Sequence, residues 1–199
     1  MKEGSEPRVW TEKTYDRMAR HYDTLMRLLF PIGEKGRERV VEKLSAGSLL
    51  DVACGTGTLL QMAHRKGLTC YGIDLSEGMI GQAMAKLPEA TLCVASYYDI
   101  PYPDEHFNYV VATNALSGSH IDARRVLGEM LRVCKTGGYL YIAEWPKPER
   151  ETFFDHVVEW FAGLNDDAPK DYRAIFAALG YEPQVDIISR RYQVYGVTK

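Results

Sequence analysis

The chain has 199 residues, a hydrophobic content of 46% and a formal net charge of -3 at pH 7. These values predict one globular domain with a sizeable core, and the slightly acidic balance argues against nucleic acid as a partner. The N-terminal stretch MKEGSEPRVW lacks the apolar run of a signal peptide, and no apolar stretch approaches the ~18 residues of a membrane-spanning helix. The cysteines form no C-x-x-C pair and the histidines show no ligand spacing. We therefore expect a cytoplasmic protein with reduced thiols, no metal site and no transmembrane segment.

The first 45 residues are predicted to form a tail and two helices that precede the core at 46–199, within a single domain. Residues 1–9 have the composition of a loose tail. From Thr11 to about Leu29 the apolar residues recur near one helical face. Pro31-Ile32-Gly33 interrupts this pattern, and a second helix is predicted to run to about Leu44.

The core alternates between strand patterns and helix patterns. This order predicts a parallel sheet covered by helices on both faces, with a turn at the Gly137-Gly138 pair before the fifth strand. The predicted strands are Leu49–Ala53, Leu68–Ile73, Thr91–Ala95, Phe107–Thr113 and Tyr139–Glu144, and the predicted helices are Thr58–Arg65, Gly78–Lys86 and Ala123–Val133.

The C-terminal part of the chain predicts two more helices and a hairpin. An apolar helix is expected over Thr152 to Leu164, and another over Tyr172–Leu179, closed by a glycine. Two final strands, Gln184–Ser189 and Tyr192–Val197, are separated by two residues and predict an antiparallel hairpin. The predicted fold class is therefore α/β, a doubly wound and mostly parallel seven-stranded sheet with a C-terminal antiparallel hairpin.

The stretch LLDVACGTGTLL (49–60) places Gly55 and Gly57 between the first core strand and the first core helix. Glycines let the main chain turn sharply and let a ligand approach it, and the N-terminus of the helix offers N–H donors. The stretch could be a turn without function, a dinucleotide site or a site for another adenosine-bearing cofactor. A dinucleotide fingerprint requires G-x-G-x-x-G, and Leu60 stands at the third glycine, which disfavours that alternative.

The same turn resembles motif I of the class I S-adenosylmethionine-dependent methyltransferases, with Ala53 at the first glycine of D-x-G-x-G-x-G. Cys54 stands at a non-glycine position of that motif, where we interpret it as a packing residue. Three later segments resemble the family in the same order: YGIDLSEGMI (71–80), IPYPDEHFNYVVATNAL (100–116) and LRVCKTGGYLYIAEW (131–145). The resemblance covers about residues 14–148 and the C-terminal hairpin, and it implies a Rossmann-like methyltransferase fold.

The resemblance implies a cofactor, S-adenosylmethionine with the product S-adenosylhomocysteine, and a set of residues that bind it without a metal. Asp74 is expected to accept from the ribose hydroxyls, although it could instead cap the helix after it. Ser96 stands where the family has an acid for the adenine amino group and Asp99 lies three residues later, so this contact is left open. The expected cofactor-binding residues are Asp51, Ala53, Gly55, Thr56, Gly57, Asp74, Leu75, Met79, Ser96, Tyr97 and Asn114.

Two segments resemble the ubiquinone/menaquinone-biosynthesis C-methyltransferases more closely. TYDRMARHYDTLM (14–26) is similar to the lid of that group, including its Tyr22-Asp23 pair, and Glu144-Trp145-Pro146-Lys147-Pro148 is similar to its E-F-S-K-P. The chain lacks the Arg-Asn pair that the quinone enzymes carry after the fourth strand, and its region before the terminal hairpin is shorter. We therefore expect a small-molecule acceptor without assigning a quinone.

The candidates for acceptor contact are Tyr15, Tyr22 and Trp145, which could wall an apolar pocket. His120 is the one titratable candidate near the expected methyl position, because an imidazole with a pKa of about 6.5 suits a general base. It could equally be a surface or capping histidine.

Three functions are compatible with these features, and methyl transfer to a small molecule that is apolar or aromatic is the leading hypothesis. The alternatives are a nicotinamide-dependent oxidoreductase and a non-catalytic module that binds S-adenosylmethionine. The sequence leaves the acceptor, the atom methylated and the oligomeric state open.

Overall fold

The computed structural model describes residues 12–29, 31–147 and 169–199, and the strands of this part of the chain form one seven-stranded sheet. In chain order the strands are β1 (Ser48–Val52), β2 (Thr69–Asp74), β3 (Thr91–Val94), β4 (Phe107–Thr113), β5 (Cys134–Glu144), β6 (Gln184–Ser189) and β7 (Tyr192–Thr198). Their order across the sheet is β3-β2-β1-β4-β5-β7-β6. The pairs from β3 to β5 are parallel, and β7 runs antiparallel to both β5 and β6. The predicted fold class is confirmed.

Helices cover both faces of this sheet. In the described residues they are α1 (Glu12–Met18), α2 (Tyr22–Leu29), α3 (Ile32–Lys43), α4 (Thr58–Arg65), α5 (Glu77–Lys86), α6 (Ala123–Val133) and α7 (Tyr172–Ala178). One apolar cluster joins the sheet to α6 and α7, and a second joins the other face to α3, α4 and α5. The core therefore consists of two apolar layers, one on each side of the sheet.

The direction of winding reverses between β1 and β4. From β1 the chain moves to β2 and β3 on one side, whereas β4 and β5 lie on the other side. A crevice forms at such a reversal, outside the carboxyl ends of the strands, because the crossovers on the two sides diverge. The glycine turn after β1 and the loop after β4 both begin at this edge.

The single helix predicted from Thr11 to Leu29 is wrong, because a turn divides it into α1 and α2. The N–H of His21 donates to the Met18 carbonyl over 2.9 Å, and the chain restarts as a helix at Tyr22. The two helices differ in the helix on which their main chains pack, since α1 packs on α5 and α2 packs on α3. Thr11 itself and the helix predicted over 152–164 lie outside the described residues.

The turn predicted at Gly137-Gly138 is also wrong, because both glycines belong to β5. Gly137 has a left-handed φ of 77° and donates its N–H to the Lys199 carbonyl, and the Lys199 N–H donates to the Gly138 carbonyl. This pairing keeps the two glycines in the sheet, with a register shift between β4 and β5.

Candidate active site

The glycine turn between β1 and α4 is held in a left-handed conformation. Ala53, Gly55 and Gly57 have φ values of 57°, 53° and 75°. A Cβ at Gly55 would meet no atom within 4 Å, whereas one at Gly57 would lie 3.0 Å from the Ala83 Cβ of α5. The main chain is therefore open to a ligand at Gly55, and Gly57 is required for close packing. Ala53 adopts the left-handed conformation as well, although this conformation is less favourable by about 1–2 kcal/mol for any residue that has a side chain.

Asp74 at the end of β2 ties that strand to the glycine turn. Its Oδ2 accepts from the Gly55 N–H over 2.8 Å and its Oδ1 accepts from the Ser76 N–H over 2.9 Å. Burial raises the pKa of Asp74, and these backbone donors oppose the shift. A carboxylate has about four acceptor positions, so both oxygens can still accept from further donors. The N-cap of α5 is Ser76, whose Oγ accepts from the Met79 N–H, and so the capping alternative for Asp74 is wrong.

Asp51 and Arg37 bring a carboxyl group and a guanidinium group to the buried end of β1. Asp51 is 2% exposed. Burial raises its pKa to about 8, the charge of Asp74 adds to this shift, and Arg37 opposes it. Within the described part of the chain, Asp51 Oδ1 and Arg37 Nε are buried and accept or donate no hydrogen bond. Sequence reasoning missed Arg37, because it comes directly after Gly36 in a helix whose other cations have the pattern of a solvated face.

The helices α1 and α2 contact the crossovers through two carboxylates. Asp16 on α1 accepts from the Ser76 hydroxyl over 2.5 Å. Asp23 on α2 accepts from the Thr56 hydroxyl over 2.5 Å and pairs with Lys86 of α5. Burial alone would raise the pKa of Asp23, but the contacts with Lys86 and Thr56 outweigh it and lower the pKa. Both helices therefore lie on the side of the crossovers that carries the glycine turn.

The aromatic residues expected to contact the acceptor lie in two separate ring pairs. The Trp145 and Tyr192 rings meet edge to face with centroids 5.1 Å apart, and the Tyr15 and Tyr22 rings do so at 6.2 Å. Burial raises the pKa of Tyr192, and the charge of Glu144 adds to this shift. The sequence pointed to the other three aromatic residues but not to Tyr192, which has the pattern of an ordinary strand residue of the hairpin.

Asn114 begins the loop after β4 and faces α3. It has a φ of 54°, and its N–H donates to the Ala143 carbonyl over 3.0 Å. A Cβ on Gly33 would lie 3.2 Å from Asn114 Nδ2 and 3.8 Å from Arg37 Nη1. Asn114 and Arg37 therefore share one side of the crevice, and an Asn114 hydrogen bond also reaches Tyr192.

The residues expected to bind adenine lie around the ends of β2 and β3. Leu75 is 49% exposed, whereas Met79 is buried. Ser96 Oγ accepts from the Tyr98 N–H over 3.1 Å, and Asp99 is exposed. The contact with the adenine amino group stays a prediction.

His120 lies on the exposed part of the loop between β4 and α6. A Cβ on Gly118 would lie 3.0 Å from its Cε1, so the ring is beside that glycine. Its role as a general base stays a prediction.

The described ranges contain neither a cluster of metal-ligating side chains nor a membrane-spanning helix. In those ranges no three His, Cys, Asp or Glu residues are grouped so that they could hold a metal ion. No helix in the same ranges combines the length and apolarity needed to cross a membrane.

Comparison with known proteins identifies sequences related to this chain. The methyltransferase-domain family profile matches residues 50–142. The demethylmenaquinone methyltransferase of Thermotoga maritima is 30% identical over 164 residues, which span 79% of this chain and 71% of the relative. A ubiquinone/menaquinone biosynthesis C-methyltransferase of Geobacter sulfurreducens is 34% identical over 68% of this chain, but the match spans only 58% of that relative.

Solved structures share the fold at lower sequence identity. A SAM-dependent methyltransferase of Thermotoga maritima, described as a possible histamine N-methyltransferase, superposes with a TM-score of 0.73 at 18% identity, over 96% of this chain and 99% of that one. The magnesium protoporphyrin IX methyltransferase of Synechocystis, solved with bound SAH, gives 0.68 at 19% identity over 84% of each chain. The nicotinamide-dependent alternative is not favoured by any of these relatives. The chain belongs to the S-adenosylmethionine-dependent methyltransferases that act on small molecules, in the family of the ubiquinone/menaquinone-biosynthesis C-methyltransferases.

Proposed function

We propose that this enzyme methylates a hydroxylated aromatic ring of the quinol type. Two observations support an aromatic acceptor. The relatives at 30–34% identity are named for demethylmenaquinone and for ubiquinone/menaquinone biosynthesis. Tyr22 packs edge to face on Tyr15 and directly precedes Asp23, which contacts Thr56 of the glycine turn, and aromatic rings in such a place suit a planar acceptor.

The observation that carries the cofactor placement is the pair of buried polar atoms at the end of β1. Asp51 Oδ1 and Arg37 Nε have no hydrogen-bond partner in the described ranges, and such atoms are costly unless a ligand satisfies them. An ionised Asp51 carboxylate and the Arg37 guanidinium would be complementary to the α-ammonium and α-carboxylate groups of a methionyl tail. We assign the tail to these two residues and the open main chain at Gly55.

The nucleoside part of the cofactor is assigned from the same placement. Asp74 retains acceptor positions for the ribose hydroxyls, and Leu75 supplies exposed apolar surface at the end of β2 for the adenine. The remaining residues of this assignment are Ala53, Thr56, Gly57, Met79, Ser96, Tyr97 and Asn114.

The chain's own part in the reaction is alignment and protection from water. When bound, the cofactor supplies a methyl group on a sulfonium, so positioning of the acceptor accounts for most of the task. We assign the face of the ring to Tyr22 and Trp145, with Tyr15 behind Tyr22. A quinol carbon becomes nucleophilic as its hydroxyl loses a proton, and His120 is our candidate to accept that proton.

The division of the chain is part of this proposal. We assign residues 1–45 to a tail and a lid, and 46–199 to the cofactor-binding core. The contacts of Asp16 with Ser76 and of Asp23 with Thr56 support a lid that lies over the crevice. A lid of this kind would exclude water from the acceptor.

The test is transfer of a labelled methyl group from S-adenosylmethionine to demethylmenaquinol that carries a short prenyl tail. We expect a labelled aromatic product, and no product from aliphatic amines or alcohols of similar size. Loss of the charged partner in Asp74→Ala should weaken cofactor binding by about 1.5–3 kcal/mol, or roughly 10- to 150-fold.

A matched control removes a carboxylate outside the crevice. Asp186 of β6 pairs with Lys43 over 2.6 Å, and Asp186→Ala should keep the cofactor affinity of the wild type. Transfer to aliphatic acceptors alone, or binding of S-adenosylhomocysteine without transfer to any aromatic acceptor, would contradict the proposed acceptor class.

A further inference from the structure

A buried carboxylate is hydrogen-bonded to the first residues of the loop after β4, residues 114–118. Glu144, the last residue of β5, is completely buried. Its Oε1 accepts from the Ala115 N–H over 2.6 Å and from the Leu116 N–H over 3.0 Å. Hydrogen bonds from backbone donors to a charged acceptor are among the stronger ones in proteins, so this contact fixes two consecutive peptide groups.

An ammonium group donates hydrogen bonds to main-chain carbonyls of the same loop. Lys170 Nζ donates to the Leu116 carbonyl over 2.8 Å and to the Gly118 carbonyl over 2.6 Å. The Lys170 main chain is itself attached to the segment after β5, since the Lys147 N–H donates to its carbonyl over 3.0 Å. We call Glu144 and Lys170 the charge clamp.

The clamp matches each charge to the backbone groups of opposite polarity. The carboxylate meets N–H groups and the ammonium meets carbonyls, and both contact Leu116, which is completely buried. Four charge-assisted bonds over a five-residue segment exceed what capping the next helix requires, because α6 already has its own N-cap in Asp122. The clamp therefore holds a part of the loop in place for a reason other than capping α6.

The residue that the clamp holds in place is Asn114, at the start of the loop. Asn114 has a φ of 54°, a conformation that costs a residue with a side chain free energy unless its surroundings enforce it. Its peptide neighbour Ala115 is held by Glu144, and its own N–H is held by the Ala143 carbonyl. These contacts direct the Asn114 side chain to the side of the crevice that carries Arg37.

We propose that Glu144 and Lys170 are positioning residues, which set Asn114 against the bound cofactor. The proposal rests on the cofactor placement given above, and it does not depend on the acceptor. The clamp holds the loop, the loop holds Asn114 in the left-handed conformation, and Asn114 contacts the cofactor.

The experiment measures the affinity of the full chain for S-adenosylhomocysteine by calorimetry, without an acceptor. Lys170→Met should weaken binding by about fivefold to tenfold, a typical coupling between neighbouring groups. The matched control is Lys66→Met, because Lys66 Nζ also donates to main-chain carbonyls, those of Val41, Glu42 and Leu44, over 2.8, 3.3 and 2.5 Å. Those carbonyls end α3, away from the crevice, so the control should lower the melting temperature and leave the affinity unchanged.

A double-mutant cycle separates positioning from a merely structural role. Asn114→Gly removes the side chain without strain at a positive φ. If Lys170 acts through Asn114, Lys170→Met causes no further loss of affinity in the Asn114→Gly background. For Glu144, the other residue of the clamp, Glu144→Gln retains an acceptor oxygen and should recover most of the affinity that Glu144→Ala loses.

Two results would overturn the clamp while leaving the acceptor proposal intact. One is wild-type affinity in Lys170→Met, and the other is a loss that adds in full to that of Asn114→Gly. Failure of the wild type to bind S-adenosylhomocysteine would overturn the cofactor placement and the clamp together. Failure to methylate a quinol would overturn only the acceptor class.

Discussion

Asp51 has a protonation equilibrium that the fold shifts strongly. Burial, with a contribution from the charge of Asp74, raises its pKa to about 8 from 3.8. The folded protein therefore holds this proton more tightly than the unfolded chain does. The contribution of Asp51 to the free energy of unfolding is fully present below about pH 4 and is lost as the pH rises towards 8.

The same shift predicts a proton linkage in cofactor binding. An α-ammonium group beside Asp51 would favour the carboxylate, so binding of S-adenosylhomocysteine at pH 7 should release about one proton. Affinity should rise about tenfold between pH 6 and pH 7 and level off above pH 8. Calorimetry in buffers of different ionisation enthalpy measures this release directly. Asp51→Asn is the control and should release none, and equal proton release by both proteins would refute the assignment.

At the residue scale, the sequence pattern predicted the candidate groups at strand ends and missed those that packing brings close to them. Gly55 and Asp74 were predicted because each lies at or just after the end of a core strand, and the carboxyl ends of parallel strands share one edge. Arg37 and Tyr192 come from a helix and a strand far from that turn in the sequence. The positions of these two residues depend on how α3 packs on β7, and no local sequence pattern predicts that packing.

At the element scale, one glycine sets the distance between α3 and the sheet. A Cβ on Gly36 would lie 2.2 Å from Tyr192 Cε1, and Tyr192 is completely buried and cannot easily yield. Gly36→Ala should therefore displace α3, lower the free energy of unfolding by about 1–3 kcal/mol and weaken cofactor binding through the adjacent Arg37. Thermal unfolding and calorimetry measure the two effects.

The matched control for this prediction is a glycine with free space in another helix. Gly81 of α5 is exposed, and a Cβ there would meet no atom within 4 Å. Gly81→Ala should stabilise the protein by about 0.5–1 kcal/mol, since alanine loses less backbone entropy in a helix. If Gly36→Ala stabilised the protein as much, the packing argument would be wrong.

Element type was predictable from periodicity, and the errors arose where tertiary contacts decide. The strand and helix pattern of the core identified β1 to β5, α4 to α6 and the final hairpin with bounds close to those observed, except that β5 begins at Cys134 instead of Tyr139. The break at Ala19–His21 reflects two helices with different partners. The Gly137-Gly138 pair has the composition of a turn but is kept in the sheet by pairing with Lys199.

At the scale of the whole molecule, the sheet order determines where the candidate site lies. The order β3-β2-β1-β4-β5-β7-β6 has its reversal between β1 and β4, and Asp51, the glycine turn and Asn114 all lie at that edge. The alternation of strands and helices was enough to predict this crevice, because right-handed crossovers leave few topologies. The proposed acceptor contacts do not follow from this alternation, since α1, α2 and the hairpin, which carry or adjoin them, come from distant parts of the chain.

The most direct measurement is a crystal structure of this protein grown with saturating S-adenosylhomocysteine. We expect the ribose hydroxyls at ~3 Å from the Asp74 carboxylate, the methionyl tail between Asp51 and Arg37, and the main chain of Gly55 against the ligand. A crevice between β1 and β4 that stays empty at saturation, or a ligand bound elsewhere, would contradict the account.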